Sequence, residues 1–132
     1  MSWEDLGPEA KAFRVAHGVW SIVGIATLRY IWACALSGRR DRRLWASIGF
    51  LSVEGVALVI GRGDCPFGPF QARLGDPVPF FELVLPPRAA KAAVPVLAGA
   101  SLLGIFVVIV RMAAEHLLAR APASGNAATP LN

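Results

Sequence analysis

Three apolar stretches, each long enough to cross a membrane and each closed by charged or helix-breaking residues, constrain this chain more than any other feature. They run from about Phe13 to Leu36, from Leu44 to about Gly61, and from about Ala92 to Val110. A spanning helix needs about 20 predominantly apolar residues. Backbone in lipid must satisfy its own N–H and C=O groups, so such runs fold as helices. Ser37-Gly38 ends the first run and Gly61-Arg62-Gly63-Asp64 the second. Arg111 bounds the third, beyond which the helix is expected to continue toward Ala119 as an interfacial turn. Pro95 is expected in the first turn of that helix, where a missing N–H costs little. A mean hydropathy of +0.55 with 17% charged residues excludes an ordinary soluble domain. The sequence therefore predicts an all-α integral membrane protein with three transmembrane helices. Residues 1–120 form its single helical domain, and residues 121–132, small and polar, are expected to be a disordered tail. The flank before the first run is acidic (Glu4, Asp5, Glu9), so that run is read as a retained helix, not a cleaved signal.

Between the second and third runs, Pro66, Pro69, Pro77, Pro79, Pro86 and Pro87 rule out a long regular helix. Within this proline-rich loop, Val78 to Leu85 is apolar but too short to span. It is expected either to lie in the interface or to re-enter the bilayer. Cys65, Pro66, Phe67, Pro69, Phe70, Phe80 and Phe81 make the expected contact surface of an ordered loop, since four phenylalanine rings need somewhere to bury. Arg39, Arg40, Arg42 and Arg43 fill one short loop and form no stripe interleaved with exposed aromatics. The net charge of +4 thus reflects membrane topology and excludes nucleic acid as a partner. The positive-inside rule places the arginine loop and C-terminus in the cytoplasm, and the N-terminus and proline-rich loop outside the cell's inner (plasma) membrane.

Arg29 and Glu54 lie within the apolar runs, where a charge costs at least ~2.5–3.5 kcal/mol and is usually paired. At 1.5 Å per residue they lie ~10 Å and ~15 Å from the cytoplasmic ends of their spans, so an intramembrane ion pair is expected. Gly18, Ser21 and Gly24 on the first run, and Ala100 and Gly104 on the third, are candidate helix-packing positions, because small residues let helices approach in lipid. His17 is a candidate polar site beside Trp20 and Ser21, at a depth that does not match His116 for binding a haem between them. Cys65 is a single thiol in the outer loop, and Cys34 lies at the opposite face, so no disulfide joins them. No nucleophile–base set, phosphate-binding glycine loop or metal-spaced cluster is visible, and neither cofactor nor metal is expected.

The stretch from Val53-Glu54 through Cys65-Pro-Phe-Gly-Pro-Phe70 resembles a family of small bacterial membrane proteins of unknown function. In that family a helix with an early histidine precedes a helix with a glutamate and then a Cys-Pro-Leu-Thr-Pro-Leu-Glu signature. His17, Glu54, Cys65, Pro66 and Pro69 match it, while Phe67, Gly68, Phe70 and Gln71 depart from it and the glutamate-to-cysteine spacing is longer. The resemblance covers under half the chain, implies a bacterial integral membrane protein and carries no activity. The function expected from the sequence is non-catalytic: an accessory or assembly subunit packing against membrane lipid and a larger membrane complex or itself. The alternatives are an oligomeric transporter or channel protomer using Arg29 and Glu54, and a redox or lipid-modifying enzyme using His17 or Cys65.

Overall fold

Helix α1 (Pro8–Ser37) begins with a proline at its first position, where the lost N–H has no intrahelical partner anyway. It starts five residues before the apolar run, because Glu9, Ala10, Lys11 and Ala12 form helix well without being hydrophobic. The computed structural model describes residues 3–62, 65 and 67–120, and is all-helical over them. The expectations for Pro66 and for the 121–132 tail lie outside the described residues. Helix α1 closes at Gly38, whose φ of +78° favours glycine and whose N–H reaches the Cys34 carbonyl at 2.9 Å. Arg111 seals the same end by donating to the carbonyls of Ala35 and Leu36, and its guanidinium occupies the space a Cβ at position 38 would need.

Helix α2 (Arg42–Ile60) starts from Asp41, whose Oδ1 accepts the Leu44 N–H at 3.0 Å. The Tyr30 hydroxyl donates to Oδ2 at 2.5 Å and Arg39 Nε at 2.9 Å, which fastens the α1–α2 hairpin. The Tyr30 hydroxyl and the Leu44 N–H hold the Asp41 carboxyl below the usual carboxylate range. Helix α3 (Gly68–Arg73) and a 3₁₀ turn at Phe80–Leu83 shape the proline-rich loop. Helix α4 (Pro87–Arg120) completes the chain. It starts five residues before the third apolar run and continues past it as regular helix, so Pro95 lies well inside it and not in the first turn. Pro87 takes the opening position, and Arg88, Ala89, Ala90 and Lys91 are helix formers that a hydropathy pattern does not register.

Helices α1, α2 and α4 are each long and apolar enough to cross a membrane. Helix α1 lies between the other two and packs on both, while α2 and α4 meet only slightly. The core, Leu28, Ile31, Cys34, Ala35, Leu44, Leu51 and Val108, gathers in the half nearer the arginine loop. At Gly104 a Cβ would lie 3.2 Å from Trp32 Nε1 and 3.3 Å from Ile31 Cγ2, and the Trp32 indole donates to the Ala100 carbonyl at 3.2 Å. Gly104→Leu is therefore expected to cost about 1–3 kcal/mol by overpacking this seam. Gly99→Ala, with open space around it, should leave the thermal midpoint in detergent unchanged or slightly raised. Equal midpoints for the two variants would show that α1 and α4 do not meet here.

Two sequence expectations are corrected. Gly18, Ser21 and Gly24 do not form one helix-packing face: Gly24 does meet the neighbouring helix α2, but Gly18 lies about 120° around α1 from it. Gly18 faces the Phe80 ring, the Ser21 hydroxyl donates to the His17 carbonyl at 2.9 Å, and Gly24 faces Glu54 and Phe50. Arg29 and Glu54 do not pair either. Glu54 approaches α1 at Gly24, and Arg29, five residues further on, is turned about 140° away from it. Arg29 is exposed, and the Trp20 indole N–H donates to Glu54 in place of a guanidinium.

Candidate functional site

At the end of the bundle away from the arginine loop, the polar side chains form one connected series. Arg14, on the second turn of α1, is 9% exposed and Asp76 is 1% exposed. Arg14 Nε donates to Asp76 Oδ2 at 2.7 Å while Nη2 bonds Oδ1, a two-point contact that fixes both groups. Asp76 is brought under α1 by the turn that ends α3, where Gly75 has φ +87°. Its own carboxylate accepts the Val78 N–H at 3.3 Å, as aspartates in turns do. The Arg14 guanidinium, opposed by burial and helped by the Val78 N–H and the Gln71 amide, keeps the Asp76 carboxyl below the usual range.

Gln71, on α3 and 4% exposed, is the next link. Its Nε2 donates to Asp76 Oδ2 at 3.0 Å and to the Val78 carbonyl at 2.8 Å. Both partners only accept, so the amide can point only one way and its Oε1 must face His17 Nδ1, 3.2 Å off. An amide oxygen needs a donor there. The network thus assigns the proton to Nδ1 and leaves the lone pair of His17 on Nε2. That nitrogen lies 3.7 Å from Cys65 Sγ. Burial pushes the Cys65 thiol up, but the His17 contact and the Phe67 backbone N–H outweigh it, and the thiol lies below its ordinary value. The charge of Glu54, on α2, opposes that lowering.

Phenylalanines enclose the imidazole. Phe80 lies 5.5 Å from the His17 ring centroid, and Phe13 and Phe67 each lie 6.0 Å from it. Phe13, Ala16, His17, Trp20 and Phe67 line an open cleft of about 160 Å³ whose walls are almost wholly apolar. Of the loop residues named from the sequence, Cys65, Phe67 and Phe80 surround His17 and Phe70 stacks near Phe13 at 5.2 Å. Phe81 packs on Phe80 at 5.7 Å, and Pro69 is exposed. Among the described residues no group of three His, Cys, Asp or Glu side chains is placed to hold a metal ion.

Sequence reasoning missed Arg14, Gln71 and Asp76. Arg14 counts toward the charge of the N-terminal flank, Gln71 reads as a departure from a signature, and Asp76 carries no reading at all. The available signal was a buried-type polar pattern, an arginine opening the apolar run and an amide five residues before an aspartate. Compared with known protein families, curated proteins and solved structures, this chain finds no match in any of the three.

Proposed function

We propose that this chain is a multi-pass membrane protein whose work is thiol chemistry at Cys65, with His17 as the base and Gln71 as the residue that positions it. The observation that supports this is the unbroken order of contacts Arg14–Asp76–Gln71–His17–Cys65. Holding the loop to α1 needs only the buried Arg14–Asp76 pair. Interposing an amide that sets one imidazole tautomer, and aiming the free nitrogen at a thiol, is what nucleophile activation requires. This favours the thiol reading over the non-catalytic one. In it, α1 crosses the inner membrane with its N-terminus outside, and the arginine loop and C-terminus face the cytoplasm, on the charge pattern of the Arg39–Arg43 loop.

Alkylation by iodoacetamide tests the assignment, since only the thiolate reacts well. In detergent at pH 7, Cys65 is expected to react at least about tenfold faster in the native protein than in His17→Ala, a modest part of what a general base supplies. Cys34, buried in the core at the other end, contributes only a slow background. Equal rates in the two proteins would remove His17 from the chemistry. In intact cells a membrane-impermeant maleimide should spare a cysteine placed near the C-terminus, Ser124→Cys in a Cys65→Ala background; ready labelling there would reverse the orientation.

An accessory or assembly subunit is the second reading, and exposed Arg29 favours it. A guanidinium at mid-span, on a face left exposed among the described residues, is suited to a carboxylate of a neighbouring membrane protein. Such a partner would co-purify in mild detergent and be lost with Arg29→Leu.

A further inference from the structure

The position of the Cys65 site in the membrane points to its substrate. Val15 to Leu36 covers 22 residues, or about 33 Å of helix, close to the ~30 Å of a hydrocarbon core. Arg14 therefore marks one boundary. His17, three residues on, lies only about 5 Å inside it. Phe13, Trp20, Phe67 and Phe70 gather at this level, as aromatic side chains do where headgroups meet acyl chains. Cys65 Sγ, 3.7 Å from His17 Nε2, shares that level. The cleft meets this site at His17, which is part of its lining, while Cys65 is not; with Ala16, Trp20 and Phe67 exposed and Phe13 half-buried, it opens on the outside of the bundle, toward the bilayer. Its walls are almost wholly apolar.

We propose that Cys65 takes an acyl group from the ester of a membrane phospholipid. This inference rests on the thiol assignment above and adds the substrate class to it. The ester carbonyl of a phospholipid lies at the headgroup boundary with its acyl chain directed inward, and the cleft holds the first part of that chain. His17 Nε2 takes the proton from Sγ, and the sulfur attacks the ester carbonyl carbon. The S–C bond forms and the ester C–O bond breaks. His17 then returns the proton to the departing alkoxide, leaving a lysophospholipid and a thioester on Cys65. No electrons are transferred, so neither an oxidant nor a second thiol is needed, in keeping with a chain whose other cysteine is buried at the opposite end.

The experiment uses the full chain in vesicles of dipalmitoylphosphatidylcholine, with intact mass and lysolipid release as readouts. The expected result is a gain of one palmitoyl group, released by hydroxylamine, matched by lysophosphatidylcholine, absent in Cys65→Ala and about 100-fold slower in His17→Ala. A second arm uses vesicles of the ether-linked analogue, which has no ester carbonyl, with palmitoyl-coenzyme A added from water. Acylation in that arm alone would overturn the phospholipid as donor. If Cys65 stays unacylated in both arms yet alkylates rapidly in a His17-dependent manner, the substrate class is wrong and the thiol assignment stands. If alkylation does not depend on His17, the thiol assignment itself fails.

Discussion

Replacing Asp76 by asparagine is expected to destabilise the protein by about 3–5 kcal/mol, because it leaves the Arg14 guanidinium buried with no countercharge. Asparagine keeps the shape of the side chain, so the loss reports charge and not a cavity. Arg14→Met should cost a similar amount by stranding the carboxylate, whereas Arg14→Met with Asp76→Leu should recover part of it, since two buried charges replaced together cost far less than one left alone. The pair also ties stability to acid. The Asp76 carboxyl, held by Arg14 below its unfolded value of ~3.9, binds fewer protons folded than unfolded. Its contribution is therefore fully present above that value and disappears as the pH falls from ~3.9 through the folded value. Asp41 is lowered as well, so the informative quantity is the difference between the native protein and Asp76→Asn. That gap in thermal midpoint, read in a non-ionic detergent, should be wide at neutral pH and close below about pH 4. A gap that stays constant from pH 7 to pH 3 would rule out the ion pair as its source.

Hydropathy reads depth along a helix and says nothing about direction around it, and the same limit runs through the whole chain. The three long apolar helices were legible because a run of about twenty mostly apolar residues reads as one helix of membrane-crossing length. Their ends were less so, since Glu9 to Ala12 and Arg88 to Lys91 extend α1 and α4 by helix propensity alone. Arg29 and Glu54 lie at comparable depths, which made a pair plausible, yet the helical turn between Gly24 and Arg29 sends the guanidinium to the opposite side. His17, Cys65 and Glu54 were each visible as unusual residues. Their convergence was not, because it depends on how the proline-rich loop folds back over α1. That path is fixed by a left-handed glycine at position 75 and by Gln71 and Asp76, which have no periodic signature. The small residues show the same gap: Gly104 admits a neighbouring helix, while Gly18 admits only the Phe80 ring.

Gln71→Leu is expected to slow alkylation of Cys65 by about tenfold at pH 7 while leaving the thiol and the imidazole in place. In the native protein the amide oxygen accepts from Nδ1 and thereby keeps the lone pair on Nε2, toward the sulfur. Leucine offers nothing to either nitrogen, so the imidazole can take its proton on Nε2 and lose its capacity as a base toward Cys65. Asp76 also loses one donor, but Arg14 still holds it by two bonds, and the loop should keep its fold. The pH profile separates positioning from simple loss of structure. Burial raises the Cys65 thiol and Glu54 opposes ionisation, but the His17 contact and the Phe67 N–H prevail, so the native rate should rise with an inflection below that of an unperturbed thiol. In Gln71→Leu and in His17→Ala that inflection should move upward, because burial and Glu54 remain while the stabilising contact is weakened or gone. The maximal rate at high pH, where every thiol is ionised, should then converge across the three proteins. A Gln71→Leu profile that keeps the native inflection and merely scales down in amplitude would mean that the amide supports the loop and does not position the base.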